Sequence, residues 1–243
     1  MFYLKRGIFS IFFFVTVILA FPSCTANITG RLDTGGSGEF AVTASLGDRM
    51  AALLRTLSGA VGGEFALNGP AIAKSMAAAP GVESVSFRNT GPVTLEGTIK
   101  IANIGNFLSP AGGKRGFITF EEAKTGGTDG GGRLGINLNR EAGPEILALV
   151  SPEIAEYLSA LMAPFATGEV LAKDEYLSLV ASVYGKAVVD EISRGSIHAA
   201  LDFPGPISAV IGGTFSGRRA VFDIPLLDLL VLERSLSYEV TWK

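Results

Sequence analysis

Few residues in this chain could do chemistry, and their spacing says what kind. There is one cysteine, Cys24, and one histidine, His198. A thiol can be a nucleophile, a metal ligand or a site of covalent modification. A zinc site needs several Cys or His ligands, and one of each is too few. A Ser-His-Asp hydrolase would have to use His198, with Asp202 four residues on and therefore on the same face of a short strand. No Gly-x-Ser-x-Gly elbow surrounds any serine, so His198 reads as a solvated surface residue. Glu121-Glu122 and Asp190-Glu191 could serve acid–base chemistry only if the fold brought carboxylates together; by default both pairs read as solvated faces. Asp129, within Thr125 to Gly132, lacks the further carboxylate of a calcium loop and reads as part of a hairpin loop. Ala111-Gly112-Gly113-Lys114-Arg115-Gly116 lacks the first glycine and the Ser/Thr of a P-loop, and it precedes a strand pattern where a P-loop precedes a helix.

The surroundings of Cys24 are more specific. Lys5 and Arg6 form a basic start, and Gly7 to Phe21 is an uncharged apolar stretch. Pro22 and Ser23 then lead to Cys24. This is the layout of a secretory signal peptide over residues 1–23. At about fifteen residues the apolar stretch is shorter than the roughly twenty needed to span a bilayer as a helix. Pro22 would also end a helix where the cleavage zone must be extended. The sequence Phe21-Pro22-Ser23-Cys24 resembles the lipobox of bacterial lipoproteins. Ser23 fits it, Leu19 supplies an aliphatic residue slightly early, and Phe21 and Pro22 depart from the usual pattern. Looser lipoboxes of this kind are found in spirochaetes. The resemblance implies lipidation of Cys24 by acyl chains such as palmitate. Each buried CH2 contributes about 0.8 kcal/mol, so two or three chains hold a domain on a membrane. It also implies a place in the bacterial cell envelope, on the inner or outer membrane, with the domain outside the cytoplasm, as in a periplasm.

Composition narrows the rest. Without Lys5 and Arg6, 18 basic side chains face 23 acidic ones, a net charge near −5 with no basic cluster. Nucleic acid is therefore not an expected partner, and neither is a polybasic attachment to lipid. A lone cysteine allows no internal disulfide, so the apolar core must carry the stability.

The elements that must position these residues are legible in the hydropathy pattern. Val93, Leu95, Ile99 and Ile101 alternate with polar residues, as do Phe40, Val42, Ala44 and Leu46, and Leu134, Ile136 and Leu138. Near the end, Leu236, Tyr238, Val240 and Trp242 share one face. Alternation of period two predicts strands with one buried and one solvated face, which belong to antiparallel sheets. Helical spacing follows Asp48 (Met50, Leu53, Leu54, Leu57, Val61), and a short helix is predicted over 70–79. Another opens at Ser151-Pro152 and runs to about Phe165. The longest opens at Asp174 and is stopped by Gly195. The fold class is therefore α+β, with antiparallel sheets and amphipathic helices packed on one face. The element order suggests a ββααββ duplication, with halves at 24–112 and 113–243, either as subdomains or within one domain.

One apolar run stands out: Leu226, Leu227, Leu229 and Leu230, interrupted only by Asp228. It reads as core, or as a segment that contacts lipid, edges an apolar pocket or binds a partner. The leader, the hairpin Gly36-Ser37-Gly38 and the segment Pro204-Gly205-Pro206-Ile207 with its following strands resemble uncharacterised bacterial lipoproteins of the LppM-like kind. That resemblance carries over no functional residue. The expected function is that of a non-enzymatic envelope lipoprotein, without cofactor or metal, acting in binding or envelope organisation. Its partners are a membrane, reached through the N-terminal lipid, and an apolar ligand or an envelope protein. Two alternatives stand beside it: a carrier of lipid or another apolar ligand, held in a cavity between helices and sheet, and an envelope enzyme using carboxylates alone. An open apolar cavity above ~300 Å³ would favour the carrier. A closed core with an exposed apolar patch would favour a partner-binding module, and carboxylates converging in a cleft the enzyme.

Overall fold

A computed structural model of the chain describes residues 24–57, 66–108, 117–122, 131–147 and 152–243. The leader 1–23, the Gly-Gly-Lys run at 111–116, Asp129 and Ser151 lie outside them. The strands are β1 (Thr25–Leu32), β2 (Gly38–Ser45), β3 (Val82–Gly91), β4 (Thr94–Ile101), β5 (Ile118–Glu122), β6 (Gly132–Leu138), β7 (Ser196–Asp202), β8 (Ile207–Ile211), β9 (Thr214–Ser216), β10 (Arg219–Pro225) and β11 (Leu236–Trp242). The helices are α1 (Asp48–Leu57), α2 (Gly69–Ala77), α3 (Ile104–Leu108), α4 (Gly143–Leu147), α5 (Pro152–Ala160), α6 (Pro164–Thr167), α7 (Lys173–Tyr184), α8 (Lys186–Arg194) and α9 (Leu226–Val231).

The strands form two sheets. The larger has seven, in the order β3-β4-β2-β1-β7-β10-β9, and the smaller has four, in the order β5-β6-β11-β8. The fold is α+β as expected. One pairing departs from the antiparallel pattern: β1 runs parallel to β7, Thr25 opposite Ser196 and Arg31 opposite Asp202. The larger sheet thereby takes strands from both sides of residue 112, whereas all four strands of the smaller one follow it.

The inner faces of the two sheets look at each other. Leu32, Ala199, Phe203 and Phe222 of the larger sheet share one apolar cluster with Val240, Trp242, Leu134 and Tyr238 of the smaller. The helices lie mainly elsewhere. Most of them cluster at one end of the strands, where Cys24, Leu46, Val93, Leu138 and Leu236, each at the same end of its strand, pack against Tyr176, Val180, Ile192 and Val231. Helix α2 instead lies on the inner face over β3 and β4, with Ile72 against Phe87 and Leu95.

Local chemistry explains the helix ends. Asn68 caps α2 by accepting the Ala71 N–H at 3.1 Å, and Pro70 stands in its first turn, where no N–H is needed. Two predicted helices are each interrupted. The one from Ser151 stops at Ala160, and Met162 takes a positive φ of 52° before α6 begins. The one from Asp174 breaks at Gly185, whose φ of 85° suits glycine and ends α7 before α8 starts. The break lets α7 and α8 fold back on each other. Tyr176 and Tyr184 of α7 then donate their hydroxyls to Leu161 O and Ala160 O, at 3.2 and 2.6 Å, satisfying carbonyls at the end of α5.

Candidate functional site

Between the facing sheets lies a cavity of about 460 Å³. Its wall follows from strand alternation. Residues i, i+2 and i+4 of a strand share a face, so β1 presents Ile28 and Leu32, β2 Phe40 and Val42, and β4 Ile99 and Ile101. From β7 and β10 come Ile197, Ala199, Leu201, Phe222 and Ile224, and β6 supplies Leu134, Ile136 and Leu138 across the gap. Strand pairing uses up the backbone N–H and C=O groups, so the wall is carbon almost throughout.

In a closed sandwich such inward residues would be fully buried. Here Ile28, Val42, Ile99, Ile136, Ile197 and Ile224 are only half-buried, although they sit in the middle of their strands or face the opposite sheet. Seven strands face four, and the side chains do not interdigitate across the whole gap. On the β4 side the wall passes from the smaller sheet to α2 and α3, which contribute Met76 and Phe107.

The two ends of the cavity differ. At one end Phe203 packs on Trp242, ring centroids 5.1 Å apart, and Trp242 also meets Phe120 at 6.3 Å. This end is aromatic. At the other, Tyr238 stands edge-on to Phe222, 5.8 Å between centroids, close to Leu229 of α9. Burial pushes the Tyr238 phenol above its ordinary pKa, and the nearby Asp228 charge adds to this. Asp228 itself binds Lys173 at 2.6 Å. Glu239 is the one charged residue along the wall. Its neighbours Tyr238 and Val240 face inward, so its carboxylate lies on the opposite face, where Arg133 holds it at 2.6 Å. Among the described residues, therefore, no charged group points into the cavity.

The structure places each residue singled out in the sequence. Cys24 precedes β1 by one residue and shares the inward face of Ile28. Its thiol is buried in the helical cluster, near the Gly47 backbone and Glu191. Burial pushes the thiol pKa up, a hydrogen bond with the Gly47 backbone pulls it down, and the Glu191 charge raises it again. The Leu-rich run splits: Leu229 reaches the cavity, Leu230 is buried in the helical cluster, and Leu226 and Leu227 are half-buried against that cluster.

His198 and Asp202 share the outer face of the larger sheet, but the fold does not bring them together. The His198 ring places Nδ1 2.7 Å from Asp223 Oδ1, its direct cross-strand neighbour. Asp202 accepts two hydrogen bonds from Arg219, at 2.9 and 2.6 Å, which hold its carboxyl below the usual range.

The carboxylate pairs also disperse. Glu122 accepts the Gly35 N–H at 2.7 Å, and Asp190 binds Lys186 at 2.6 Å. Glu191 differs from the solvated-face expectation. It is buried at 6% exposure and accepts the Arg49 and Met50 N–H groups at 3.0 and 2.8 Å. It thus supplies from another helix the acceptor that a capping side chain would provide at the start of α1. Gly47 is required beside it, because a Cβ there would meet the carboxylate. Among the described residues no group of three His, Cys, Asp or Glu gathers as a metal site, and no helix is long and apolar enough to cross a membrane.

A cavity was expected, if at all, between helices and sheet, whereas it lies between the two sheets. The role of Glu191 was missed, although it left a signal: Val188, Glu191 and Ile192 fall at i, i+3 and i+4, so this carboxylate sits on the apolar stripe of its helix.

No family model matches the chain, and no curated protein does. Among solved structures, the NMR structure of the Mycobacterium tuberculosis LppM protein folded domain is similar at a TM-score of 0.39 and 9% identity, over 93% of each chain. The LppM-like resemblance read from the sequence extends to this distant likeness and to nothing more specific. At that level the likeness says nothing about ligand or activity.

Proposed function

We propose that this protein is a non-enzymatic binding protein of the bacterial envelope that shelters an apolar ligand between its two sheets. The observation that carries the reading is the cavity itself: about 460 Å³, with a wall that among the described residues is carbon and leaves central side chains half-buried. That volume falls within the ~300–1,000 Å³ range of ligand sites. A void of this size is costly to keep empty, since wall atoms forgo contacts they would otherwise make. A hydrocarbon ligand restores those contacts without needing a polar partner.

The proposed address is a membrane, reached through acyl chains on Cys24. Its support is the leader layout and the sole cysteine. The buried thiol adds a physical consequence. At 7% exposure Cys24 has no room for a lipid on Sγ within the packed cluster, so acylation and burial of Cys24 exclude each other. In the acylated protein the ordered fold would begin at Thr25.

Two experiments separate these readings. Organic extracts of the purified protein, examined by mass spectrometry, should contain a lipid-like compound that an Ala199→Phe variant lacks, because the larger ring fills the cavity. Recovery of equal amounts from both would overturn the cavity reading. Independently, wild type and Cys24→Ala produced in bacteria should differ in intact mass and in detergent partitioning. Unacylated wild type in the aqueous phase would overturn the anchor.

A further inference from the structure

We infer that the cavity takes a single-chain amphiphile in one fixed orientation, its tail at the Trp242 end and a hydrogen-bond-accepting head, an ester or carboxyl oxygen, at Tyr238. This rests on the cavity reading above and adds to it a ligand class and a direction. The first observation is a polarity gradient along one strand. Tyr238 and Trp242 lie on the same face of β11, four residues apart, which at about 3.3 Å per residue separates them by roughly 13 Å. Val240 is the wall between them. At the Trp242 end that ring packs against Phe203 and Phe120, and of the three it is Phe203, all carbon, that lines the cavity.

The Tyr238 end is different in kind. Among the described residues, Tyr238 is the one uncharged polar side chain in the wall, and its hydroxyl has no hydrogen-bond partner. A partly buried phenol without an acceptor is disfavoured, and a ligand oxygen would supply one. The Asp228–Lys173 pair beside it is partly exposed, 25% and 28%, so a polar head there is close to solvent and to both charges. Lys173 holds Asp228 at 2.6 Å and offsets its charge, which weakens the repulsion of an acceptor at Tyr238. A head at the opposite end would meet the hydrocarbon wall at Phe203 and Leu201; Trp242, whose indole N–H is a donor, packs on Phe203 and is not itself part of the wall. The volume adds a limit. At about 460 Å³ the cavity is in the lower half of the usual range, fitting one chain and not the body of a two-chain lipid.

Trp242 is the sole tryptophan in the sequence, so its fluorescence reports one end of the cavity. Purified protein stripped of bound lipid would be titrated with long-chain fatty acids and their methyl esters, brominated either near the methyl terminus or near the head. Quenching should be strongest for terminal bromines and weak for bromines near the head. Tyr238→Phe should weaken binding of acid and ester about threefold to tenfold and leave a plain alkane of equal length unchanged. Equal quenching by both positions, or stronger quenching from the head, would overturn the orientation. Unchanged affinity of Tyr238→Phe for acid and ester would overturn the role of the hydroxyl. Preference for the acid over the ester assigns the acceptor to a carboxyl, the reverse to an ester, and either supports the proposal. Tighter binding of a rigid sterol than of any single chain would overturn the ligand class. Binding of no probe at all would remove the cavity reading itself, a distinct failure.

Discussion

The helical end of the molecule and the space between its sheets are built from the same kinds of side chain, yet they pack differently. At the helical end Tyr176, Val180, Ile192 and Val231 are 0% exposed. Between the sheets Ile28, Val42, Ile99 and Ile224 face inward and remain half-buried. The difference lies in the covering elements. A helix is free to shift and rotate until its ridges fill the grooves below it. A sheet is fixed by its hydrogen-bond ladders and approaches another as a rigid layer at ~10 Å. Where α7, α8 and α9 do the covering, the core closes. Where four strands cover part of seven, a gap is left. Space for a ligand here arises from rigid covering elements, and a shortage of apolar residues does not explain it.

That contrast can be broken by substitution. The largest effect should come from the closed region: Ile192→Ala should cost about 2–5 kcal/mol by denaturant unfolding, as expected for a fully packed site. Ile28→Ala, with space already beside it, should cost no more than about 1–2 kcal/mol. Equal losses would mean that the inter-sheet region is as tightly packed as the helical one.

Next should come Glu191→Ala, which strips two N–H groups at the start of α1 of their acceptor and should cost about 1–3 kcal/mol. The same measurement on Ala199→Leu should show a change of less than ~1 kcal/mol in either direction, since added methyl groups enter existing space. A large destabilisation there would show that the gap is already filled.

A smaller effect is expected from alkali. Burial raises the pKa of the Cys24 thiol and of the Tyr176 phenol above their ordinary values of 9.0 and 10.0. Each group therefore holds its proton more tightly folded than unfolded. The unacylated protein keeps this stabilisation below pH 9 and loses it progressively as the pH rises further. Unfolding curves at increasing pH should show the loss for wild type and a reduced loss for Tyr176→Phe; a flat profile would contradict burial of the two groups. The smallest change belongs to the outer face, where His198→Ala should alter stability by no more than ~0.5 kcal/mol and leave ligand binding intact.

The sequence made individual elements legible and left their partners hidden. Tyr238, Val240 and Trp242 were placed on one face by alternation alone, and the structure turns that face inward. Nothing local tells Thr25 that its parallel partner is Ser196, because pairing across that distance depends on the whole fold. The run through Gly185 reads as one helix, since apolar residues keep helical spacing on both sides of it. A single left-handed glycine divides it. Leu229 and Leu230 are adjacent and chemically alike, yet one meets the cavity and the other the closed core. That distinction depends on how far apart two sheets stand, which no spacing along the chain encodes. For the same reason the cavity could be posed only as a question of volume.

The central claim is that the inter-sheet space, and not the helical end, receives an apolar ligand. Isotope-filtered NMR of the protein with a ¹³C-labelled long-chain fatty acid tests it most directly, because isoleucine and valine methyl groups mark both regions. The account predicts chain contacts to Ile28, Ile99, Ile136 and Ile224 and none to Val180 or Ile192. Contacts to Val180 and Ile192, or a bound chain that touches none of the inter-sheet methyl groups, would contradict it.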